Sequence, residues 1–236
     1  MTARMRVGRG FGPSPASNFR SADHFLVTAK ALVLACPRFG CAPARRFLLH
    51  LQVVQPSHHD WRFRMSSQPQ VRLVPATVPL LDALNDDRTR FGELIGSTVP
   101  DGWPEFPEAI GFTLEHLKNA SEADRPWSMQ FFIDHANGRL VGSGGFAAPP
   151  VERTVEIGYE VAPEFRGRGF GTAAARALVE HADASGEVDQ VIAHTLPGPN
   201  PSTGVLVSLG FEHVADQEDP EVGLVWEWRW TGLLVE

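Results

Sequence analysis

A short glycine-rich segment, Arg166-Gly-Arg-Gly-Phe-Gly171, constrains the fold of this 236-residue chain more than any other feature. Residues 155–161, before Pro163, are rich in β-branched and aromatic side chains, which predicts a strand. From Thr172 onward, apolar residues recur at helical spacing, which predicts a helix. A glycine-rich turn between a strand and a helix presents free backbone N–H groups and the positive end of the helix dipole to an anion. The segment therefore predicts a site that binds a diphosphate.

The spacing of the glycines excludes two common phosphate-binding motifs. The segment does not end in the Gly-Lys-Ser/Thr of a Walker loop, and a dinucleotide fingerprint that begins at Gly167 would need its third glycine at Thr172. Arg166, Gly169 and Gly171 instead fit the pattern Arg/Gln-x-x-Gly-x-Gly/Ala. In this position the pattern resembles the acyl-CoA-binding motif of the GNAT superfamily of N-acetyltransferases. A glycine-rich turn with arginines in water stays open as the alternative.

Residues 200–211 resemble a second GNAT motif, in which an asparagine and a serine precede a short helix that ends in Leu-Gly-Phe. Asn200 is a good N-cap, and Gly210 suits the position after the helix end. The spacing between these two residues is one shorter than in many members. The resemblance extends over residues 71–230. It implies an α/β (α+β) fold with a GNAT-like mixed, mainly antiparallel central sheet and helices on both faces.

The pattern of apolar residues predicts the elements of that fold. Strands are predicted at 71–74, 127–134, 139–147, 153–161, 190–195, 211–214 and 222–230. Helices are predicted at 77–95, at 108–119 with Phe112 on the apolar side, from 172 onward, and after Asn200. Glycines 142, 144 and 145 could mark a bulge in their strand. Trp103, Phe106 and Trp127 either line the acceptor pocket or belong to the core.

The charge of the chain is divided unevenly along its length. Residues 1–64 contain ten lysine and arginine residues against two aspartates, whereas the remainder contains 11 basic and 26 acidic residues. We therefore expect a basic, poorly ordered N-terminal extension at 1–64 and a GNAT acetyltransferase domain at 65–236. The acidic charge of that domain argues against non-specific binding of nucleic acid.

Four interpretations of the N-terminal segment remain open. It could be an arginine-rich targeting peptide, a lipoprotein signal that ends at Cys36, or a zinc site formed by Cys36, Cys41, His58 and His59. The fourth and favoured interpretation is that Met65 is the true initiator. Its apolar run is shorter than the roughly 20 residues that a membrane span needs.

The resemblance also implies a set of residues for acetyl-CoA, the expected co-substrate. The main chain of Tyr159, Glu160 and Val161 would hold the pantetheine. Asn200 would contact the cofactor from the neighbouring helix. The diphosphate would lie on the motif that begins at Arg166, against Gly167, Arg168, Gly169, Phe170, Gly171 and Thr172.

Amine acetylation also requires a group that removes a proton from the ammonium. Side chains alternate along a strand, so Glu156 and Glu160 are expected on the face opposite to Val155, Ile157 and Tyr159. GNAT enzymes often place an acid on this strand. Glu156 is therefore the predicted base, acting directly or through water, and Glu160 is the second candidate. The alternative is that Glu156 is an ordinary solvated strand carboxylate.

The thiolate that leaves also needs a proton, and many members use a tyrosine in the short helix. Here that position corresponds to Leu206, which leaves Ser202, Ser208 or water for the role. Ser202 matches the serine of the family motif, although water is favoured. His181 and His194 are interpreted as an ordinary surface-helix histidine and an ordinary strand histidine.

Taken together, these features predict an acetyl-CoA-dependent N-acetyltransferase that acts on a primary amine by direct attack. The alternative is a non-catalytic acyl-CoA-binding sensor or interaction module on the same fold. The expected partner is a small-molecule or peptide amine, with neither nucleic acid nor membrane. No metal is expected. A cytoplasmic monomer or homodimer is expected, and the sequence does not select the acceptor amine.

Overall fold

The computed structural model describes residues 68–220, 222–230 and 232. The four interpretations of the N-terminal segment and the predicted boundary at residue 65 lie outside these residues. The seven strands are β1 (Val71–Pro75), β2 (Met129–Asp134), β3 (Leu140–Phe146), β4 (Thr154–Val161), β5 (Gln190–Thr195), β6 (Glu212–Asp219) and β7 (Gly223–Trp230). The α-helices are α1 (Val78–Asp86), α2 (Arg88–Ile95), α3 (Pro107–Asn119), α4 (Phe170–Ala184) and α5 (Pro201–Ser208). Short 3₁₀ helices cover Arg125–Trp127 and Pro163–Phe165.

The strands form one sheet in the order β1-β2-β3-β4-β5-β7-β6. Strands β4 and β5 run parallel, and the other neighbouring pairs are antiparallel. The parallel pair is connected through α4, which is the crossover that a parallel connection requires. The predicted mixed, mainly antiparallel sheet is therefore confirmed.

Helices cover both faces of the sheet. On one face, His181 of α4 packs against Phe146 of β3, with ring centroids 5.5 Å apart. On the other face, Phe91 of α2 packs against Phe131 of β2 at 5.1 Å. Phe146 lies opposite Ile157 in the β3–β4 register. Ile157 therefore belongs to the α4 face, because directly paired residues share a face of the sheet.

The predicted helix at 77–95 is in fact two helices, α1 and α2, with a break at Asp87. Asp87 has an extended backbone (φ −151°, ψ 97°), and its side chain accepts hydrogen bonds from the backbone N–H groups of Thr89 at 2.9 Å and Arg90 at 3.1 Å. An aspartate at an N-cap satisfies the free donors of a new first turn. The apolar spacing continued through the break and concealed it.

Three other predictions have clear outcomes. Phe112 is 48% exposed, so its assignment to the buried side of α3 is wrong. The strand predicted at 211–214 is longer than expected, because β6 continues to Asp219. A register shift between Phe132 and Ile133 lies opposite Gly142, which confirms the predicted irregularity among the β3 glycines.

The aromatic residues proposed for the pocket wall belong mainly to the core. Trp103 is 1% exposed and packs against Phe91 and Phe131, and Trp127 is buried against Phe146. Phe106 is partly exposed and precedes α3 directly.

Candidate active site

Strands β4 and β5 separate part-way along their length. They pair only over residues 154–156 of β4 and 190–192 of β5, although β4 continues to Val161 and β5 to Thr195. Beyond this point no strand among the described residues pairs with the edge of β4 that faces β5. Such an edge carries a row of unpaired backbone donors and acceptors.

The register with β3 shows which β4 residues point into this gap. The Ala147 N–H donates to Glu156 O at 3.0 Å, and the Ala162 N–H donates to Val141 O at 2.9 Å. The backbone groups of the even-numbered residues therefore face β3, since successive residues of a strand point their N–H and C=O groups to opposite sides. Ile157, Tyr159 and Val161 consequently direct theirs toward the β5 side, and those of Tyr159 and Val161 lie beyond the last β4–β5 pair, in the gap.

The glycine loop closes one end of this gap and leads into α4. Gly167 and Gly169 have φ values of 69° and 87°, which L side chains rarely adopt. A Cβ atom on Gly169 would also lie 3.1 Å from Pro69 Cδ. The first-turn N–H groups of α4, including those of Gly171 and Thr172, have no partner within the helix. The loop therefore has the backbone conformation that an anion cradle would need, and anion binding here stays a prediction.

The Tyr159 side chain lies beside this cradle on the α4 face. Its Cε2 atom is 4.0 Å from the position of a Cβ atom on Gly171. Its hydroxyl is buried and has no hydrogen-bond partner among the described residues. Burial raises the pKa of Tyr159, so the group is a neutral donor. A buried hydroxyl without a partner is one that a bound ligand could satisfy.

The two arginines of the loop have different surroundings. Arg168 is exposed, with its guanidinium 5.5 Å from the ring centroid of Phe165 and 5.6 Å from that of Phe170. Arg166 donates from Nε to Val161 O at 2.9 Å and forms an ion pair with Glu105. These contacts tie the loop to the end of β4 and to the segment before α3. The bond from Arg166 Nε also uses the backbone carbonyl of Val161, which faces the gap.

Glu160 lies on the face of β4 opposite to α4 and is only 4% exposed. Its carboxylate accepts a hydrogen bond from Ser143 Oγ at 3.1 Å and another from the Glu105 N–H at 3.2 Å. Burial raises the pKa of Glu160 to about 7, against hydrogen bonds from Glu105 and Ser143 that lower it. Glu160 thus binds the backbone of Glu105, whose side chain pairs with Arg166, and both contacts hold the segment before α3 in place.

Glu156 forms a pair with His194 on the same face of the sheet. The Oε1 atom of Glu156 and the Nδ1 atom of His194 are 2.9 Å apart, and the two side chains are 12% and 7% exposed. The alternative interpretation of Glu156 as an ordinary solvated carboxylate is therefore wrong, and its role as the base stays a prediction. Burial lowers the pKa of His194, but the hydrogen bond and charge of Glu156 and the charges of Glu227 and Asp219 outweigh this effect and raise it.

Sequence reasoning placed Glu156 on the correct face but interpreted His194 as an ordinary strand histidine. The signal that could identify the pair is the parallel register, in which Glu156 lies opposite Ile192. His194 follows Ile192 by two residues and therefore projects from the same face. That register depends on where β4 and β5 pair, which the sequence does not state.

The second motif forms a tightly capped turn. The Asn200 side chain accepts from the Thr203 N–H at 3.0 Å and donates to Leu196 O at 2.9 Å and Gly198 O at 3.1 Å. Ser202 is buried in the first turn of α5, and Leu206 is buried in the core. The contact predicted between Asn200 and the cofactor stays a prediction, because the side chain's present partners all belong to its own turn.

Comparison with known proteins identifies the fold and the family. Residues 49–212 match the family model described as an acetyltransferase (GNAT) domain, which covers more than half of the chain. The chain belongs to the GNAT acetyltransferase family. The prediction made from the two motifs is therefore confirmed. The matched range begins ahead of the predicted domain boundary at residue 65.

Several GNAT proteins are similar to this chain. An uncharacterized N-acetyltransferase, YjdG of Bacillus subtilis (strain 168), is 28% identical over 147 residues, which cover 60% of this chain and 86% of the relative. RimL, a ribosomal L7/L12 alpha-N-protein acetyltransferase solved with coenzyme A, has a TM-score of 0.50 at 17% identity and covers 69% of this chain and 94% of its own. A ribosomal-protein-S5-alanine acetyltransferase of Vibrio fischeri has a TM-score of 0.50 at 16% identity, covering 70% and 93%. At these identities the two structures support the fold.

Within residues 68–220, 222–230 and 232, no group of three or more histidine, cysteine, aspartate or glutamate side chains is arranged to hold a metal ion. None of the helices in this part of the chain has the length and apolar character that a membrane crossing demands.

Proposed function

We propose that this chain transfers the acetyl group of acetyl-CoA to a primary amine by direct attack. The observation that carries the proposal is the open edge of β4, whose unpaired backbone groups lead into the glycine loop before α4. An extended chain of amides could pair with that edge as a strand would. A diphosphate suits the loop, because free N–H groups and the helix dipole meet there.

The residues fit acetyl-CoA in three respects. The N–H and C=O groups of Tyr159 and the N–H of Val161 face the gap and suit the amides of pantetheine. The first-turn N–H groups of α4, with Arg168 beside them, suit the diphosphate. The Tyr159 hydroxyl, which has no partner in the described part of the chain, offers one further donor next to the loop. When bound, acetyl-CoA would supply the thioester carbonyl that the amine attacks.

Arg166 contributes to this site through the shape of the loop. Its guanidinium bonds to Val161 O and pairs with Glu105, so it connects the cofactor side of β4 with the segment between α2 and α3. In GNAT proteins that segment is expected to line the acceptor pocket. We infer that Arg166 fixes the position of the acceptor pocket relative to the cofactor site.

The proton acceptor belongs to the face of β4 opposite to α4. Glu156 and Glu160 both project there, and an ammonium that approaches from that face would meet carboxylates and not the helix. A base must lie within hydrogen-bond reach of the ammonium or of an intervening water. Both oxygens of Glu160 already accept hydrogen bonds from the protein. The proton acceptor is therefore expected near Glu156 and not at Glu160.

One observation favours the alternative of a non-catalytic acyl-CoA sensor. Leu206 is 1% exposed at the position where many family members place the tyrosine that protonates the leaving thiolate. A leucine cannot donate a proton, so the enzyme interpretation requires water or Ser202 in that role. A CoA thiolate can also be protonated by solvent, since a thiol has a pKa of roughly 8.5.

The two functions are separated by two measurements on the full-length chain. Calorimetry with acetyl-CoA tests binding, which both functions require. Release of the free CoA thiol is then followed with L-alaninamide, an N-terminal-serine hexapeptide, spermidine and tyramine as acceptors. Amine-dependent thiol release supports the enzyme, whereas binding without release for every amine favours the sensor. Absence of binding at saturating acetyl-CoA would contradict both.

A further inference from the structure

The imidazole of His194 stands where β4 and β5 separate. The last paired residues are Glu156 and Ile192, and His194 lies two residues farther along β5 on the same face. That face is the one opposite to α4, from which the amine is expected to approach under the function proposed above. His194 therefore lies at the start of the gap, beside the strand segment that faces the cofactor.

The hydrogen bond to Glu156 determines which nitrogen of His194 is available. Glu156 Oε1 is 2.9 Å from Nδ1, so in the neutral ring Nδ1 donates its proton to the carboxylate. The lone pair is then on Nε2. A carboxylate that fixes the tautomer and orientation of an imidazole is the arrangement by which enzymes prepare a histidine as a base.

The Nε2 atom has no hydrogen-bond partner among the described residues, although it is buried. A buried polar nitrogen without a partner costs free energy, and a bound substrate or a water that reached Nε2 would satisfy it. Glu160, by contrast, has protein donors on both oxygens. His194 therefore combines a fixed orientation with an acceptor nitrogen that no described residue uses.

We propose that His194 is the catalytic base of the acetyl transfer and that Glu156 is its positioning residue. The inference rests on the proposed function. The ammonium gives one proton to Nε2, and the amine nitrogen then attacks the thioester carbon. A C–N bond forms and the C–S bond breaks. The second proton of the nitrogen reaches the thiolate through solvent, which gives the N-acetyl amine and the CoA thiol, and His194 returns its proton to water.

The charged groups around His194 determine how the base responds to pH. Glu156 on β4 faces it directly, Glu227 lies opposite it on β7, and Asp219 lies at the end of β6. Arg229 is bonded to Glu227 at 3.0 Å and partly offsets that charge. The three carboxylates favour the imidazolium. The reaction rate is therefore expected to rise with pH as His194 loses its proton.

The test compares His194→Gln with His213→Gln in the full-length chain. His213 on β6 pairs with Asp216 at 2.9 Å, so the control removes a histidine–carboxylate pair of the same length from the outer strand. We expect His194→Gln to lower kcat/KM for the responsive amine by about 100-fold or more, the usual contribution of a general base. Acetyl-CoA affinity by calorimetry is expected to match that of the wild type, which shows that the variant is folded.

A second variant, Glu156→Gln, tests the positioning role without relying on activity alone. The His194 imidazole resonance, assigned by its absence in His194→Gln, is titrated by NMR in the wild type and in Glu156→Gln without substrates. We expect the pKa of His194 to fall when the carboxylate is removed. We also expect the acid limb of the kcat/KM profile to move to lower pH with it, and this shift would not follow from a merely structural role.

The possible failures are distinguishable. If the wild type releases no thiol with any amine, the proposed function fails, and the assignment of His194 as its base fails with it. If the wild type is active but His194→Gln matches His213→Gln, only the assignment of His194 fails. A Glu160→Gln variant that abolishes the acid limb while His194→Gln retains it would identify Glu160 as the base. An unchanged imidazole titration in Glu156→Gln would overturn the positioning role.

Discussion

At the scale of single residues, the buried carboxylate of Glu160 makes the stability of the fold depend on pH. Burial raises the pKa of Glu160 to about 7, above the usual carboxyl value. Between those two pH values the folded state keeps a proton that the unfolded state has released. The free energy of unfolding therefore falls as pH rises through this window, and the contribution is lost above about pH 7.

Glu160→Gln should remove this pH dependence, because the amide does not titrate. The free energy of unfolding of the wild type, relative to that of the variant, is expected to be larger at pH 5 than at pH 8. Urea unfolding at the two pH values measures this difference. Glu180→Gln, at an exposed position of α4, is the matched control for removal of one carboxylate. An equal difference between wild type and Glu160→Gln at both pH values would contradict the assignment.

The backbone form of the glycine loop could be predicted from the sequence because a local motif specifies it. Gly167 and Gly169 have the positive φ values that a glycine-rich turn requires. The partners of Arg166 and His194 could not be predicted in this way. Glu105 and Glu156 are distant from them in sequence and meet them only after the sheet and the segment before α3 have assembled.

At the scale of elements, the glycine loop and the first turn of α4 carry the proposed cofactor site. We expect Gly169→Ala to weaken acetyl-CoA binding more than Arg168→Ala, because backbone groups form most of the cradle. A Cβ atom at Gly169 would meet Pro69, and its φ is 87°. Calorimetry with acetyl-CoA measures the order of the two effects.

Gly186→Ala is the matched control for backbone strain. Gly186 has a φ of 70° beyond the end of α4, and a Cβ atom there would meet nothing within 4 Å. The control should lose stability without losing affinity for acetyl-CoA. If Arg168→Ala weakened binding more than Gly169→Ala did, the main-chain cradle would be wrong.

The break between α1 and α2 provides a separate prediction for an element boundary. Asp87→Ala removes the side chain that accepts from the Thr89 and Arg90 N–H groups. It should reduce the free energy of unfolding by about 1 kcal/mol, the usual contribution of an N-cap. Asp82→Ala, exposed within α1, is the control and should not lower stability. Urea unfolding of the two variants checks both, and equal losses would show that Asp87 is not a cap.

Most element positions follow from the sequence, because apolar spacing and turn residues determine them locally. The errors occur where local signals were absent. Asp87 interrupts an apolar pattern that continues on both sides, and β6 extends into the polar residues near Asp219 that β7 holds by pairing. Phe112 is exposed because the side of α3 that packs depends on where α1 lies.

At the scale of the whole molecule, the site results from one departure from regular sheet structure. Within the described residues seven strands form a continuous sheet, but their single parallel pair, β4 and β5, separates after Glu156 and Ile192. The separation leaves backbone groups of β4 unpaired on one side and brings Glu156 and His194 together on the face opposite to α4. The proposed cofactor site and the proposed base therefore lie on two sides of one gap.

Amide hydrogen exchange at Tyr159 and Val161, with and without saturating acetyl-CoA, tests this arrangement most directly. Both N–H groups point into the gap, so bound acetyl-CoA should slow their exchange, whereas Gly158 and Glu160, whose N–H groups face β3, should change far less. The contradictory result would be calorimetric binding of acetyl-CoA with unchanged exchange at Tyr159 and Val161. That outcome would place the cofactor away from the open edge of β4.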